Sequence, residues 1–132
     1  MFATNSLAAM SMMTIPDVCK TPIIVPVPIP YPNITMSSTH IPSVFNVMFG
    51  TGLAENLMTE GTISMGDEPG VEGGVVSGIF MGKDTYISGS TVVVVGTAFA
   101  THMTSLVGMN GMPFNTMGIS LVPAQFRVLI LT

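Results

Sequence analysis

The chain has 132 residues, 48% of them hydrophobic and only 8% charged, with three Lys+Arg against seven Asp+Glu and a formal net charge of −4 at pH 7. That balance argues against a nucleic-acid binder, which needs clustered cations to neutralise phosphates, and no run approaches the ~18 uninterrupted apolar residues of a membrane-spanning helix. One domain of this length holds a modest core, and so much interrupted apolar sequence implies surface hidden inside an assembly.

Residues 1–15 begin Met1-Phe2-Ala3-Thr4-Asn5-Ser6-Leu7, without the basic start of a secretory signal. With four methionines, they form either a short amphipathic segment or an extended strip along the core. Residues 16–32 follow, with proline at 26, 28, 30 and 32. Proline at every second position fixes φ and removes ladder donors, so a stiff polyproline-like strap is expected, with Val25, Val27, Ile29 and Tyr31 as its apolar members. A small β-rich adaptor whose strap feeds a proline-recognition domain is the alternative, but no basic residue flanks the apolar members. Residues 33–44 read as a polar loop.

Next comes a stretch that the chain contains twice. Phe45-Asn46-Val47-Met48-Phe49-Gly50-Thr51-Gly52-Leu53-Ala54-Glu55-Asn56-Leu57 returns as Thr91-Val92-Val93-Val94-Val95-Gly96-Thr97-Ala98-Phe99-Ala100-Thr101-His102-Met103. The β-branched and aromatic residues before each glycine favour a strand, and Gly50 and Gly96 supply the positive φ of a tight hairpin turn. Between the copies, residues 60–78 are a glycine-rich acidic connection. Asp67, Glu68 and Glu72 do not have the spacing of a calcium loop, so a solvated turn cluster is expected. Residues 79–88 read as another hairpin arm and 108–125 as Gly/Pro/Asn punctuation. Phe126-Arg127-Val128-Leu129-Ile130-Leu131 reads as a closing strand matching the first half of the repeat. One domain, 1–132, then divides into an N-terminal segment and strap (1–44), first repeat (45–59), connection and hairpin (60–90), second repeat (91–105), and loop with closing strand (106–132). The fold class is all-β with little helix: a compact cone of hairpins in pseudo-three-fold arrangement.

Little in the chain points to catalysis. Cys19 with His40 or His102 is the one Cys/His pairing on offer, and there is no nucleophile elbow, P-loop or nucleotide fingerprint. Cys19, His40 and His102 are also zinc-ligand types, but they lie far apart and lack a fourth partner. The competing reading is an inert buried thiol and two satisfied loop histidines.

Several segments together resemble the PAAR-like domains: Pro16-Asp17-Val18-Cys19, Pro28-Ile29-Pro30-Tyr31-Pro32-Asn33-Ile34, Gly66-Asp67 with Pro69-Gly70-Val71, Gly73-Gly74-Val75 and Ser77-Gly78, Ser90 to Val94, and Leu121-Val122-Pro123-Ala124-Gln125. The resemblance implies a tip protein of type VI secretion spikes and related phage-tail-like contractile injection machines, not an enzyme. Its implied partner is a trimeric spike protein, one copy per trimer, with effector cargo and transient contact with the target membrane during puncture. No nucleic acid is implied. The implied location is the bacterial cytoplasm during assembly and then the apparatus tip outside the cell. No effector is expected in cis, since the residues end on the closing strand. The base of the cone would meet the spike through Val47, Phe49, Val93, Val95, Val128 and Ile130. The resemblance also implies one structural zinc or iron ion near the apex, for which Cys19, His40 and His102 are the candidates. The family signature falls on Leu53-Ala54-Glu55-Asn56 and Phe99-Ala100-Thr101-His102. Members often carry His where this chain has Glu55 and Tyr86, so a metal-free apex packed by apolar residues is the alternative.

Overall fold

The computed structural model describes residues 1–131. Its strands, in chain order, are β1 (Met10–Met13), β2 (Asp17–Pro22), β3 (Pro26–Tyr31), β4 (Ile34–Met36), β5 (His40–Ile41), β6 (Val44–Phe49) and β7 (Gly52–Ala54). They continue with β8 (Glu60–Gly61), β9 (Asp84–Tyr86), β10 (Val94–Val95), β11 (Ala98–Phe99), β12 (Leu106–Met109) and β13 (Thr116–Val122). The one helical element among the described residues is a 3-10 turn, Ser37–Thr39. The all-β class is thus observed.

Seven strands form one antiparallel sheet in the order β4-β1-β13-β12-β9-β8-β5. Its two outer strands, β4 and β5, are sequence neighbours separated only by the 3-10 turn. The sheet therefore curls until its edges meet, giving a nearly closed cone. Small polar residues line much of the interior, beside a buried cluster of Tyr86, Val107 and Met109 from β9 and β12. Ser11 pairs with Ser120 on one side and with Thr35 on the other, and all three are buried. Along β13 the buried positions are Thr116, Gly118 and Ser120, whereas Met117, Leu121 and Val122 are exposed. This inverts the usual alternation, in which apolar residues face in, and it explains why 108–125 reads as punctuation although it contains the end of β12 and all of the long strand β13.

Three two-stranded hairpins leave the cone: β2–β3, β6–β7 and β10–β11. The expected strap is extended, but it is a strand paired with β2 from Asp17↔Tyr31 to Pro22↔Pro26 rather than a free polyproline helix. Prolines at 26, 28 and 30 leave donors only at Val27, Ile29 and Tyr31, all on one edge. One edge can pair and the other cannot accept a further strand, the arrangement proline imposes on an edge strand. Val25 belongs to the exposed tip of this hairpin beside Ile23 and Ile24.

Both repeats fold as two-residue hairpins. Phe49↔Gly52 brackets Gly50-Thr51, and Val95↔Ala98 brackets Gly96-Thr97. Gly50 has φ +70° and Gly96 φ +69°, as the repeat requires. The expected closing strand is shorter than its sequence implies. Residues 126–131 make one isolated bridge, Leu129↔Phe2, with Ala3 N–H donating to Val128 O and Ile130 N–H to Met1 O. Residues 1–3 and 128–130 together are the two arms of a third hairpin, split between distant parts of the sequence.

The three arms close a ring. Phe2-Ala3-Thr4-Asn5, Leu53-Ala54-Glu55-Asn56 and Phe99-Ala100-Thr101-His102 occupy equivalent places. Asn5 bridges to Ala54, Asn56 to Ala100 and His102 to Ala3. The next residues repeat the cycle, with Ser6 N–H donating to Leu53 O at 2.9 Å, Leu57 N–H to Phe99 O at 2.9 Å and Met103 N–H to Phe2 O at 2.7 Å. Ala3, Ala54 and Ala100 pack with Phe49, Val95 and Ile130 in one buried cluster on this pseudo-three-fold axis. Alanine suits the ring because three backbones converge there.

Candidate functional site

The ring organises two surfaces, an outer apolar face and a buried polar axis. On the arms, the six residues expected at a spike contact mostly turn inward. Phe49, Val95 and Ile130 are buried in the axial cluster, with Val47 and Val128 packed against it, and only Val93 is exposed. Their neighbours one position away point outward: Met48 and Val94 on the two hairpins, Leu129 and Leu131 on the split arm, with Phe45 80% exposed nearby. A shift of one residue along a strand exchanges its faces.

The middle residues of the ring, Thr4, Glu55 and Thr101, are fully buried. Thr4 Oγ1 and Thr101 Oγ1 share a hydrogen bond at 2.6 Å. Glu55 uses both oxygens: Tyr86 OH donates to Oε2 at 2.9 Å and His40 Nδ1 lies 2.9 Å from Oε1. His40 Nε2 lies 3.2 Å from Asp84 Oδ2, an ion-pair contact whose angle is poor for a hydrogen bond. Burial alone would lower the His40 pKa, but contact with Asp84 and Glu55 outweighs it and raises it to about 9. The ring is therefore an imidazolium at neutral pH, clamped between carboxylates. Burial, then the Glu55 charge, raises Tyr86 well above its ordinary value, so it remains a donor. Gly61 makes room for this arrangement, since a Cβ there would fall 1.7 Å from Asp84 Oδ1.

Cys19 lies apart from both histidines. Cys19, His40 and His102 do not converge; the group of metal-binding types that does converge among the described residues is Asp17, Cys19 and Asp67, with ligand atoms all within 4.8 Å. His102 instead sits at the ring position that asparagine fills in the other arms, its Nδ1 2.7 Å from Met103 O. The connection 60–78 is not a purely solvated turn cluster. Glu68 and Glu72 are exposed, but Asp67 is buried, its carboxylate accepting from Met81 N–H. Residues 66–78 wrap β2: Cys19 bridges to Gly74, Lys20 N–H donates to Gly73 O and Val75 N–H to Val18 O. Gly70 is required there, because a Cβ would lie 2.3 Å from Cys19 Cβ. Burial, followed by the charges of Asp17 and Asp67, pushes the Cys19 thiol up to about 12, and burial raises Asp67 as well.

The model of the Toxin PAAR-like domain family matches residues 10–118. The chain belongs to this family. No curated protein and no solved structure matches it. PAAR-like domains are structural spike-tip proteins that associate with spike proteins. In this member, the positions where the resemblance implies histidine, Glu55 and Tyr86, do meet, and His40 joins them. The group does not suit a histidine-held metal: both Glu55 oxygens are engaged and His40 presents both nitrogens to carboxylates. A protonated side chain supplies the positive charge on the axis.

Sequence reading missed Asp17, Asp67, Asn33, Asn110 and Asn115 around Cys19, and Asp84 beside His40. Short polar side chains in turns normally face solvent. For Asp67, Asn110 and Asp84 the available signal was a glycine close by, Gly66, Gly111 and Gly82, which marks close backbone approach, whereas Asp17 and Asn33 have no such neighbour. No helix among the described residues is long and apolar enough to cross a membrane.

Proposed function

We propose that this chain caps the blunt end of a trimeric spike in a contractile injection apparatus, one copy per trimer, and gives the spike a point for membrane puncture. The reading rests on one observation: the cyclic bridges Asn5↔Ala54, Asn56↔Ala100 and His102↔Ala3, by which one polypeptide builds a three-fold ring. Such a ring can present related contacts to each of three identical chains, which an asymmetric surface cannot. The outward apolar residues of the three arms are the contact set, and their burial on the spike accounts for a molecule with so much apolar side chain exposed. The role is mechanical: sheath force is transmitted through a small cone, with cargo carried alongside and the target membrane met only in passing. Assembly takes place in the bacterial cytoplasm and the tip leaves with the spike.

Co-expression with a cognate trimeric spike protein tests this. The expected product is a stable complex of one chain to three, read by native mass spectrometry. A complex of equal stoichiometry, or none at all, would overturn the proposal.

A further inference from the structure

Two carboxyl groups and a thiol are buried together with no basic side chain beside them. The basic side chains are elsewhere: Lys20 and Arg127 are exposed, and Lys83 pairs with Glu60 at 3.0 Å. We propose that Asp17, Cys19, Asp67 and Asn33 form a binding site for one divalent transition-metal ion of the zinc type, away from the His40 axis.

The distances fit. An ion with metal–sulfur bonds of about 2.3 Å and metal–oxygen bonds of about 2.1 Å in tetrahedral array holds sulfur and oxygen about 3.6 Å apart. Cys19 Sγ is 3.6 Å from Asp17 Oδ1 and 3.5 Å from Asp67 Oδ2. A thiol has one hydrogen and cannot donate to both carboxylates, whereas a cation between the three satisfies both contacts. The fourth donor is Asn33 Oδ1. Asn33 is fully buried, its Nδ2 lies 2.5 Å from Asp17 Oδ2, and its Oδ1, on the same amide head, has no partner in the protein.

The surrounding groups are those a metal site uses to orient its ligands. Asn110 Nδ2 lies 3.5 Å from Cys19 Sγ and 3.3 Å from Asp17 Oδ1. Asn115 Nδ2 donates to Asp17 Oδ1 and, at 2.9 Å, to Val18 O. Met81 N–H donates to Asp67 Oδ2 at 3.1 Å. One thiolate with three oxygens selects a borderline ion such as Zn²⁺ over Ca²⁺ or Mg²⁺. On binding, the thiol proton goes to solvent and the ion takes its place. The site ties β2, the start of β4 and the 66–78 loop into one rigid unit.

The test uses the full chain, stripped with chelator and titrated with Co²⁺, then Zn²⁺. One Co²⁺ per chain with a thiolate-to-cobalt charge-transfer band is expected, and Zn²⁺ should displace it and raise Tm. Asp67→Asn and Cys19→Ser should abolish the band, and Asn33→Ala should weaken Co²⁺ binding at least about tenfold. His102→Asn, which installs the residue found in the other two arms, should bind as before. X-ray absorption of the zinc-loaded wild-type chain reads the donors even where a variant misfolds, and one sulfur with oxygens is expected. Failure of the stripped wild-type chain to take up Co²⁺ or Zn²⁺, or an imidazole shell around bound zinc, would overturn the site. Spike capping is not read by these measurements and stands or falls separately.

Discussion

His40 shows how a buried charge can be held without a metal. Its ring lies between Glu55 and Asp84, and Tyr86 occupies the remaining Glu55 oxygen. Since His40 is raised from 6.5 to about 9, its stabilising contribution is complete below about pH 6.5 and disappears as pH climbs through 9. Unfolding free energy should therefore fall by about 1 kcal/mol per pH unit between about pH 7 and 8.5. Cys19 adds a fall of the same sign only near and above its ordinary value of 9.0, outside that window. His40→Gln should remove the slope and cost about 3–5 kcal/mol at pH 7, because two buried carboxylates lose their cation. Denaturant unfolding across pH checks both; a wild-type slope near zero would show that His40 is not charged in the folded chain. None of this pairing was legible beforehand: His40 and Asp84 are 44 positions apart, and their strands meet only through β8, two residues long.

At the scale of elements, legibility depended on which side of a strand was apolar. The repeats could be read because runs of valine and phenylalanine end in Gly-Thr, and the turns at Gly50 and Gly96 form as that pattern demands. Strand β13 could not, because its buried side is Thr116, Gly118 and Ser120 while Met117 and Leu121 face outward. Neighbouring groups take the space on that side: a Cβ on Gly118 would lie 2.3 Å from Met12 O and 2.8 Å from Met109 Cε, and Met109 belongs to a buried cluster with Tyr86 and Val107. The third hairpin was hidden for another reason: its arms lie at residues 1–3 and 128–130. The signal was present as Phe2-Ala3-Thr4-Asn5 against Phe99-Ala100-Thr101-His102, near-identical quartets too short to stand out without the ring. The turn glycines differ in their surroundings. A Cβ on Gly50 would sit 3.0 Å from Gln125 Cβ, whereas on Gly96 the nearest atom is Val44 Cγ2 at 3.3 Å. Both Gly50→Ala and Gly96→Ala should cost about 1 kcal/mol or more for the positive φ, and Gly50→Ala should cost more because Gln125 also caps the split arm through Ala3 O and Val128 O. Thermal unfolding of the two variants would expose the opposite order.

For the whole molecule, burial is reversed relative to an ordinary small domain. Serine, threonine, asparagine and aspartate make up most of the buried side chains, the buried apolar residues gather on the ring axis and around Tyr86, Val107 and Met109, and many of the apolar side chains that composition placed in an assembly stand on the outside. Exposed apolar surface weakens a lone molecule and serves an assembled one, so the two faces of each arm should separate by mutation. Phe49 belongs to the axial cluster, and Phe49→Ala should cost about 3–5 kcal/mol through loss of packing. Met48, its neighbour, is 59% exposed, and Val94 holds the equivalent place on the second arm at 56%. Met48→Glu and Val94→Glu should leave Tm within about 2 °C, since surface changes stay within roughly ±0.5 kcal/mol. Combined, they should abolish capture by the spike trimer, because charges set against an apolar partner face must be desolvated without compensation. Co-purification and thermal unfolding of the same variants decide the matter. If the double Glu variant still forms a one-to-three complex, the spike meets another surface of the cone; if Met48→Glu lowers Tm as far as Phe49→Ala, the arm does not present Met48 to solvent.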